Sequence, residues 1–171
     1  KCNKPVKGDT DFCEAHQDCP KFIRKFTNQD DPEYNPDEWS EPYIEGSHNC
    51  YTYFLDTIFP DLIKKCEKLC KENSDSCPKK VSQCRTLIPQ PGDDHLMKTE
   101  GHLRNKKYKY TCAELEKKIM DDNKSITKTK LIKKCPPKYH KGAMVVDPGN
   151  TFHFYRQNND GTWSHKPGTL P

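Results

Sequence analysis

Apolar side chains recur with a helical period in three stretches of the chain, and these stretches predict three helices. The first begins at Ser47 or Asn49, because such side chains cap helices. A second begins at Pro60, a residue suited to the first turn of a helix. The third follows Thr111, which is spaced to form a capping box with Glu114. The three apolar faces are Tyr53, Phe54 and Ile58; Leu62, Ile63, Cys66 and Leu69; and Leu115, Ile119 and Met120.

The C-terminal part of the chain changes to the period of two that is typical of strands. Residues 142–147 predict a buried strand, and residues 151–157 predict an alternating strand after a turn. A second turn then returns the chain to a third strand. If that turn is a three-residue loop, His165 lies opposite Tyr155, with His153 on the same face. We therefore predict an α+β chain, with helices packed on a small antiparallel sheet.

The remaining stretches show no clear period, and they set the predicted domain boundaries. Residues 1–20 form a small Cys/His-rich unit, and residues 21–46 an acidic, proline-bearing linker or strap. Trp39, Tyr43 and Ile44 are the side chains that would anchor such a strap. Residues 47–171 form the main domain. Within it, residues 73–110 predict a loop with one short strand near residues 85–94.

Composition narrows the classes of protein to which the chain can belong. Its 171 residues are 32% hydrophobic and its mean hydropathy is −1.09, so the core is modest. No apolar run reaches the roughly 18 residues of a membrane-spanning helix. The net charge of +4 is small and comes largely from lysine, which argues against a nucleic-acid partner.

The ten cysteines indicate an oxidising environment, such as a secreted protein or a virus particle. Cys66, Cys70, Cys77 and Cys84 are spaced too loosely for a typical zinc site, so we expect them to form disulfides. Cys66 and Cys70 lie one turn apart on a predicted helix. They should therefore bond to other cysteines and not to each other.

The N-terminal unit offers a candidate metal site. Its spacing, C-x10-C-x2-H-x2-C, provides thiolates and an imidazole, the ligands that suit tetrahedral zinc. The ligands would be Cys2, Cys13, His16 and Cys19. The alternative is that these cysteines form disulfides and that His16 is simply exposed. Any zinc here would be structural.

The stretch GSHNCYTYFLD places a cysteine at a predicted helix start, which suggests a nucleophile. Free N–H groups at such a start favour a thiolate, and the Cys50 and Tyr51 N–H groups would form part of an oxyanion hole. A nucleophilic thiol also needs a base and a group that orients it. His153 is the candidate base, with His165 or an amide as its orienter, and His140 is the alternative base.

Other side chains near these positions have two interpretations. Tyr155 and Trp163 either line a substrate groove or belong to the core. Arg156 and Lys166 either bind an anionic substrate or are solvated. Cys50 itself could be a buried thiol or a disulfide partner.

Three blocks of sequence resemble the papain-like superfamily of cysteine- and histidine-dependent amidohydrolases and peptidases, which includes bacterial cell-wall endopeptidases. They are HNCYTYFLD, IPQPGDD and VVDPGNTFHFYRQNNDGTWSHKPG. The Asn-Cys pair and the Pro-Gly-Asp step are typical of that superfamily. The blocks are also similar to a group of uncharacterised proteins from giant DNA viruses and some bacteria. The resemblance implies a papain-like fold, Cys50 as nucleophile, His153 as base and His165 as third member.

The resulting prediction is a cysteine hydrolase that cleaves an amide bond in a peptide or a peptidoglycan-like substrate. Such chemistry proceeds through a thioester and needs no cofactor. The alternative is a non-catalytic, capsid-associated protein of a large DNA virus that keeps the papain-like scaffold. Its partners would be other virion proteins.

Overall fold

The structure, a computed structural model, describes residues 27, 30–73, 77–78, 81–92 and 110–168. The Cys/His-rich unit at residues 1–20 and its candidate zinc ligands lie outside these residues. The described part contains both helices and a three-stranded antiparallel sheet, which confirms the α+β class. The elements are α1 Pro36–Trp39, α2 Pro42–Ser47, α3 Cys50–Phe54, α4 Pro60–Asn73, the 3-10 helix η1 Ser82–Leu87, α5 Cys112–Asp122, β1 Gly142–Asp147, β2 Thr151–Gln157 and β3 Trp163–Ser164.

Two short helices, α1 and α2, occupy a stretch for which the sequence predicts an extended strap. Each starts with proline, and the Asn35 side chain caps α1 by accepting the Glu38 N–H at 3.3 Å. Trp39 and Ile44 are buried and form a small core cluster with Tyr53. Two of the three predicted anchors, Trp39 and Ile44, are therefore buried, whereas Tyr43 is half-buried and outside this cluster. The segment is partly helical, and this was missed because proline starts and local caps act over too few residues to show a period.

The third helix, α3, is short and almost entirely buried. Asn49 caps it by accepting the N–H groups of Tyr51 and Thr52, and the Thr52 hydroxyl accepts the Asn49 N–H in return. The helix ends at Phe54, and Asp56 takes a positive φ of 51° that turns the chain away. Ile58, predicted to be on this helix, lies beyond it.

Two disulfides join α4 to the segment that follows it. Cys66 bonds to Cys84 on η1, and Cys70 bonds to Cys77. All four cysteines predicted to form disulfides do so, and Cys66 and Cys70 bond to other cysteines as expected. These bonds indicate an oxidising environment. The short strand expected near residues 85–94 is not present in the described part of that range, where η1 runs through Leu87.

Helix α5 begins with the predicted capping box between Thr111 and Glu114. Its buried face packs on α3 and β2, and these three elements form one hydrophobic core. The buried members of this core are Cys50, Tyr51, Phe54, Leu115, Ile119 and Phe154. None of the helices in the described ranges combines the length and apolar character that crossing a membrane requires.

The sheet has the strand order β1-β2-β3, with β1 antiparallel to β2. Phe154 faces the core, whereas His153 pairs with Val145 on the open face. Strand β1 was expected to be buried, but it is an edge strand whose Val145 is 55% exposed. After β2, Asn158 N–H donates to Thr162 O at 2.8 Å, which gives the three-residue loop that the sequence predicts.

The chain divides into two units. The described residues of the first are 27, 30–34, 129–141 and 157–163. Those of the second are 35–73, 77–78, 81–92, 110–128, 142–156 and 164–168. The second unit contains the three candidate catalytic residues, and the alternative base His140 belongs to the first.

Candidate functional site

Cys50 is the first residue of α3 and is nearly buried, with 7% of its surface exposed. Burial raises the pKa of the Cys50 thiol, while the backbone N–H groups of Phe154, Cys50 and Tyr51, and the Lys166 charge, act to lower it. The expected preference for the thiolate is not met in this conformation, because desolvation outweighs the N–H groups at the start of a five-residue helix.

Contacts around the start of α3 involve all three sequence blocks that resemble the papain-like superfamily. The Asn49 amide, in the first block, donates to Pro89 O, in the second, at 2.9 Å. The third block reaches the first twice. The Phe154 N–H points to the Cys50 sulfur, and the hydroxyls of Tyr53 and Ser164 lie 2.7 Å apart. Segments far apart in sequence therefore meet at α3 and its cap.

Three rings cluster on the open face of the sheet: His153 and Tyr155 from β2, and His165 just after β3. The distance from His153 Nε2 to His165 Nδ1 is 2.9 Å. The ring of Tyr155 lies 5.0 Å from that of His153 and 5.2 Å from that of His165, between ring centroids. This confirms the placement predicted from the alternation of residues 151–157 and the length of the following loop.

His153 does not form a hydrogen bond with the Cys50 sulfur in this structure. Among the described residues the hydrogen bond of its ring joins Nε2 to His165 Nδ1, and Nδ1 is the other ring nitrogen. Burial, and then the charge of His165, lower the pKa of His153. The N–H of Phe154, the next residue on β2, is directed to the sulfur and acts to lower the pKa of the thiol. Catalytic hydrogen bonds are often long in free enzymes and shorten when substrate binds.

His48 lies two residues before Cys50, but its environment is that of a structural side chain. It is fully buried, and Nε2 accepts the Phe59 N–H at 2.9 Å. Nδ1 therefore carries the proton and donates to Ser47 Oγ at 2.9 Å, and Ser47 donates in turn to Tyr43 O. Burial lowers the pKa of His48 to about 4, so the ring is neutral at physiological pH.

Tyr51, expected to help hold an oxyanion or substrate, belongs to the core. Its hydroxyl donates to Asp122 at 2.8 Å, and its N–H donates to the Asn49 side chain at 3.1 Å. Asp122 also accepts the Gly92 N–H at 2.7 Å, which holds the second sequence block beside α5. The phenol of Tyr51 thus does not line an open groove. Trp163 starts β3 and is half-buried.

Arg156 and Lys166, considered above as solvated or anion-binding, are both buried. The guanidinium of Arg156 pairs with Asp56 and lies over the ring of Tyr53, 4.1 Å from its centroid. The ammonium of Lys166 donates to Glu45 O at 3.3 Å and to Gly168 O at 2.9 Å. The burial of Lys166 could not be predicted from the sequence, because a lysine between a histidine and a proline shows no pattern that indicates burial.

In the described part of the chain no group of three or more His, Cys, Asp or Glu side chains is arranged to hold a metal ion. The four candidate zinc ligands lie outside that part, so the zinc prediction stays a prediction.

No protein-family profile matches the chain, and no solved structure matches it. The Insoluble matrix shell protein 1 of Ruditapes philippinarum is 62% identical to the chain over 26 residues. That stretch covers 15% of this chain and 18% of the shell protein, so the chain spans less than a fifth of the length of this relative.

Proposed function

We propose that the chain is a cysteine hydrolase that cleaves an amide bond in a peptide or a peptidoglycan-like substrate. The Cys50 sulfur attacks the carbonyl carbon, and the thiol proton passes to His153 Nδ1. The imidazolium then protonates the leaving amine as the C–N bond breaks, which leaves a thioester on Cys50. Water, deprotonated by His153, hydrolyses the thioester and regenerates the thiol. His165 holds the ring of His153 in the required tautomer.

The observation that carries this proposal is the arrangement of two adjacent residues on β2. His153 Nε2 lies 2.9 Å from His165 Nδ1. In the tautomer in which Nε2 donates to His165, Nδ1 of His153 is the nitrogen that accepts a proton. The N–H of the next residue, Phe154, is directed to the Cys50 sulfur. Cys50 packs in the core with Phe154, whereas His153 lies on the open face of the sheet. The proposal therefore requires a change in the backbone of β2 that brings the imidazole to the side of the sulfur.

The start of α3 offers donors for the oxyanion of the tetrahedral intermediate. The N–H of Cys50 is directed to its own sulfur, close to where the reacting carbonyl would lie. The N–H of Tyr51 is shared with the Asn49 cap at 3.1 Å. Cys50 N–H is therefore the stronger candidate donor, and Tyr51 N–H contributes only as far as the cap releases it.

The test compares two cysteines in the full chain, Cys50→Ser and Cys112→Ser. Both positions are the first residue of a capped helix, so Cys112 is a matched control. Purified protein is incubated with a peptide library and with soluble peptidoglycan fragments, and products and acyl-enzyme are read by mass spectrometry. We expect amide cleavage and a thioester on the Cys50 peptide in the wild type and in Cys112→Ser, and neither in Cys50→Ser. Cleavage that survives Cys50→Ser would refute the proposal.

A second candidate function is a non-catalytic structural protein of an extracellular matrix or a virus particle. Two observations favour it: the short match to a shell matrix protein and the two disulfides. Either function places the chain outside the cell or in a virion, where disulfides persist. The structural alternative predicts that Cys50→Ser changes neither assembly nor any measurable turnover, so the same pair of variants separates the two functions.

A further inference from the structure

His153 and His165 bring two imidazole nitrogens together on the open face of the sheet. The distance from His153 Nε2 to His165 Nδ1 is 2.9 Å, and the two ring centroids lie 4.8 Å apart. The ring of Tyr155 packs beside both imidazoles. His165 is exposed and His153 is half-buried, so solvent reaches this pair of rings. Imidazole is the most common metal ligand among side chains, and two of them here converge on one place.

The backbone that carries each histidine is fixed by its neighbours. His153 lies within β2, a strand paired along its whole length with β1. His165 lies between Ser164, whose hydroxyl is 2.7 Å from that of Tyr53, and Lys166, whose side chain is buried. Contacts on both sides of His165 therefore hold it in place beside β2. Ligands carried by rigid elements keep their spacing better than ligands on free loops.

The residues of β1 that lie opposite this cluster leave the imidazoles accessible. Ala143 pairs with Tyr155 and Val145 pairs with His153, and Val145 is itself 55% exposed. Asp147, at the end of β1, lies on the same face of the sheet and adds a negative charge to it. A cation approaching this face therefore meets two nitrogen ligands and an attractive charge.

The separation of the two nitrogens suits one class of metal ion. Imidazole binds zinc, copper and nickel, with a bond of about 2.0–2.1 Å in the case of zinc. For bonds of that length, two nitrogens 2.9 Å apart subtend an angle of about 90° at the ion. This is the angle between adjacent ligands of a tetragonal ion such as Ni²⁺ or Cu²⁺. Tetrahedral coordination needs a wider separation of about 3.4 Å.

We propose that His153 and His165 bind one divalent transition-metal ion of the tetragonal class, through His153 Nε2 and His165 Nδ1. The ion lies off the line between the two nitrogens, on the solvent side, and each ring tilts to direct its lone pair at it. The ring that carries the shared proton moves it to its other nitrogen through water, so the pair loses no proton at neutral pH. Water molecules occupy the remaining positions, because the site has only two protein ligands.

The metal site stands without the proposed function, but it would regulate that function. The proposed hydrolase needs His153 to move toward the Cys50 sulfur, which lies on the core side of the sheet. An ion bound to His153 Nε2 and His165 Nδ1 holds the imidazole on the open face and replaces the hydrogen bond between the rings. Bound metal should therefore inhibit amide cleavage, a consequence that rests on the proposed function.

The experiment is calorimetric titration of the full chain with Ni²⁺, comparing the wild type with His153→Gln and His165→Gln. Each variant should lose one equivalent of bound Ni²⁺ or bind it about tenfold more weakly or worse, since loss of a ligand costs at least as much as loss of an outer-shell partner. The double variant should lose little more than either single variant, because two ligands of one ion act as a unit. Wild-type binding in either single variant would overturn the proposal.

His140→Gln is the matched control. His140 is half-buried, like His153, but belongs to the first unit. This variant should bind Ni²⁺ as the wild type does. A loss of binding in His140→Gln equal to that in His153→Gln would also overturn the proposal, because the ion would then not be specific to the pair on the sheet.

A second measurement needs no substitution, in case a variant does not fold. In NMR spectra of the wild-type imidazoles, less than one equivalent of Ni²⁺ should shift or broaden the signals of His153 and His165 before that of His140. Signals of His153 and His165 that stay unchanged would contradict the proposal. The outcome is separable from that of the proposed function. Ni²⁺ binding without amide cleavage would refute the hydrolase alone, and cleavage without Ni²⁺ binding would refute the metal site alone.

Discussion

Cys50 and Cys112 occupy the same local position in two different regions of the molecule. Each is the first residue of an α-helix, and each lies within a capping box, formed by Asn49 with Thr52 and by Thr111 with Glu114. Cys112 starts an eleven-residue helix and is exposed, whereas Cys50 starts a five-residue helix and is buried.

The helix dipole alone would favour Cys112, because its helix is longer. What distinguishes Cys50 comes from elsewhere in the chain. The N–H of Phe154 and the charge of Lys166 both act on its sulfur. His153, next to Phe154, adds a candidate base. A position at a helix start is therefore insufficient to identify a nucleophile. The assignment of Cys50 depends on these residues, which are distant from it in sequence.

The largest expected effect comes from removing the candidate base. His153→Ala should lower the rate of amide cleavage by about 10²- to 10⁴-fold, the usual contribution of a general base. The apparent pKa of Cys50 in alkylation should rise, and labelling of Cys112 should not change. His140→Ala is the control, because His140 is the alternative base. If His140→Ala gives the large loss and His153→Ala does not, the assignment of the base is wrong.

The cluster around His153 shows how much of the site the sequence could predict. Alternation along residues 151–157 and the length of the next loop were enough to place His153, Tyr155 and His165 on one face. Both are local properties of the chain. The capping box at Thr111 was predictable for the same reason, and so was the fact that Cys66 and Cys70 do not bond to each other, since spacing along a helix decides both. Their actual partners, Cys84 and Cys77, could not be predicted from spacing.

The properties that depend on burial could not be predicted from the sequence. Lys166 and His48 look like surface side chains in the sequence, but both are buried. The ammonium of Lys166 contacts Glu45, 121 residues away, and His48 packs beside the rings of Trp39 and Phe59. The same holds for the thiol of Cys50, whose pKa burial raises against the effect of the helix start. Helices α1 and α2 were missed because four and six residues are too few to display a period.

The second prediction concerns the disulfide between Cys66 and Cys84. Its bond fixes η1, which leads directly to Pro89, and the Pro89 carbonyl accepts the Asn49 amide beside Cys50. Replacing both cysteines by alanine should cost about 3 kcal/mol in the free energy of unfolding, for a loop of 18 residues.

The measurement is urea denaturation, combined with the labelling rates of Cys50 and Cys112 in the native state. Cys50 should label faster in the double variant, because its surroundings loosen. Cys112, which is already exposed, should label at the same rate. Equal acceleration at both cysteines would mean that the disulfide supports the whole fold and has no particular relation to the site.

The third prediction uses pH to test whether the region beside Cys50 is dry. His48 titrates at about 4 in the folded chain, below the roughly 6.5 of an unfolded one. Its neutral form is favoured by folding, so this stabilisation is complete above pH 6.5 and is lost as the pH falls from 6.5 to 4. The difference between these two pKa values corresponds to at most about 3.4 kcal/mol in the free energy of unfolding.

The free energy of unfolding is measured between pH 7 and pH 4 in the wild type and in His48→Gln. Carboxylates and His153 contribute to both curves, so the difference in slope isolates His48. We expect the wild type to lose more stability than the variant across this window. If the free energy of unfolding depends on pH in the same way in both proteins, His48 titrates normally, and the region beside Cys50 is accessible to water.

The smallest expected effect separates the two helix caps. Thr111→Ala removes an exposed cap and should cost about 1 kcal/mol. Asn49→Ala removes a buried cap and also leaves the buried Pro89 carbonyl without the amide at 2.9 Å, so we expect a loss of about 2–3 kcal/mol. The midpoints of urea denaturation, at constant slope, measure the loss of stability in each variant.

The labelling rate of Cys50 should change only in Asn49→Ala, because only the Asn49 cap also binds the second sequence block to α3. Equal losses in both variants would mean that the bond to Pro89 adds nothing, and the two helix starts would then differ only in how deeply their cysteines are buried.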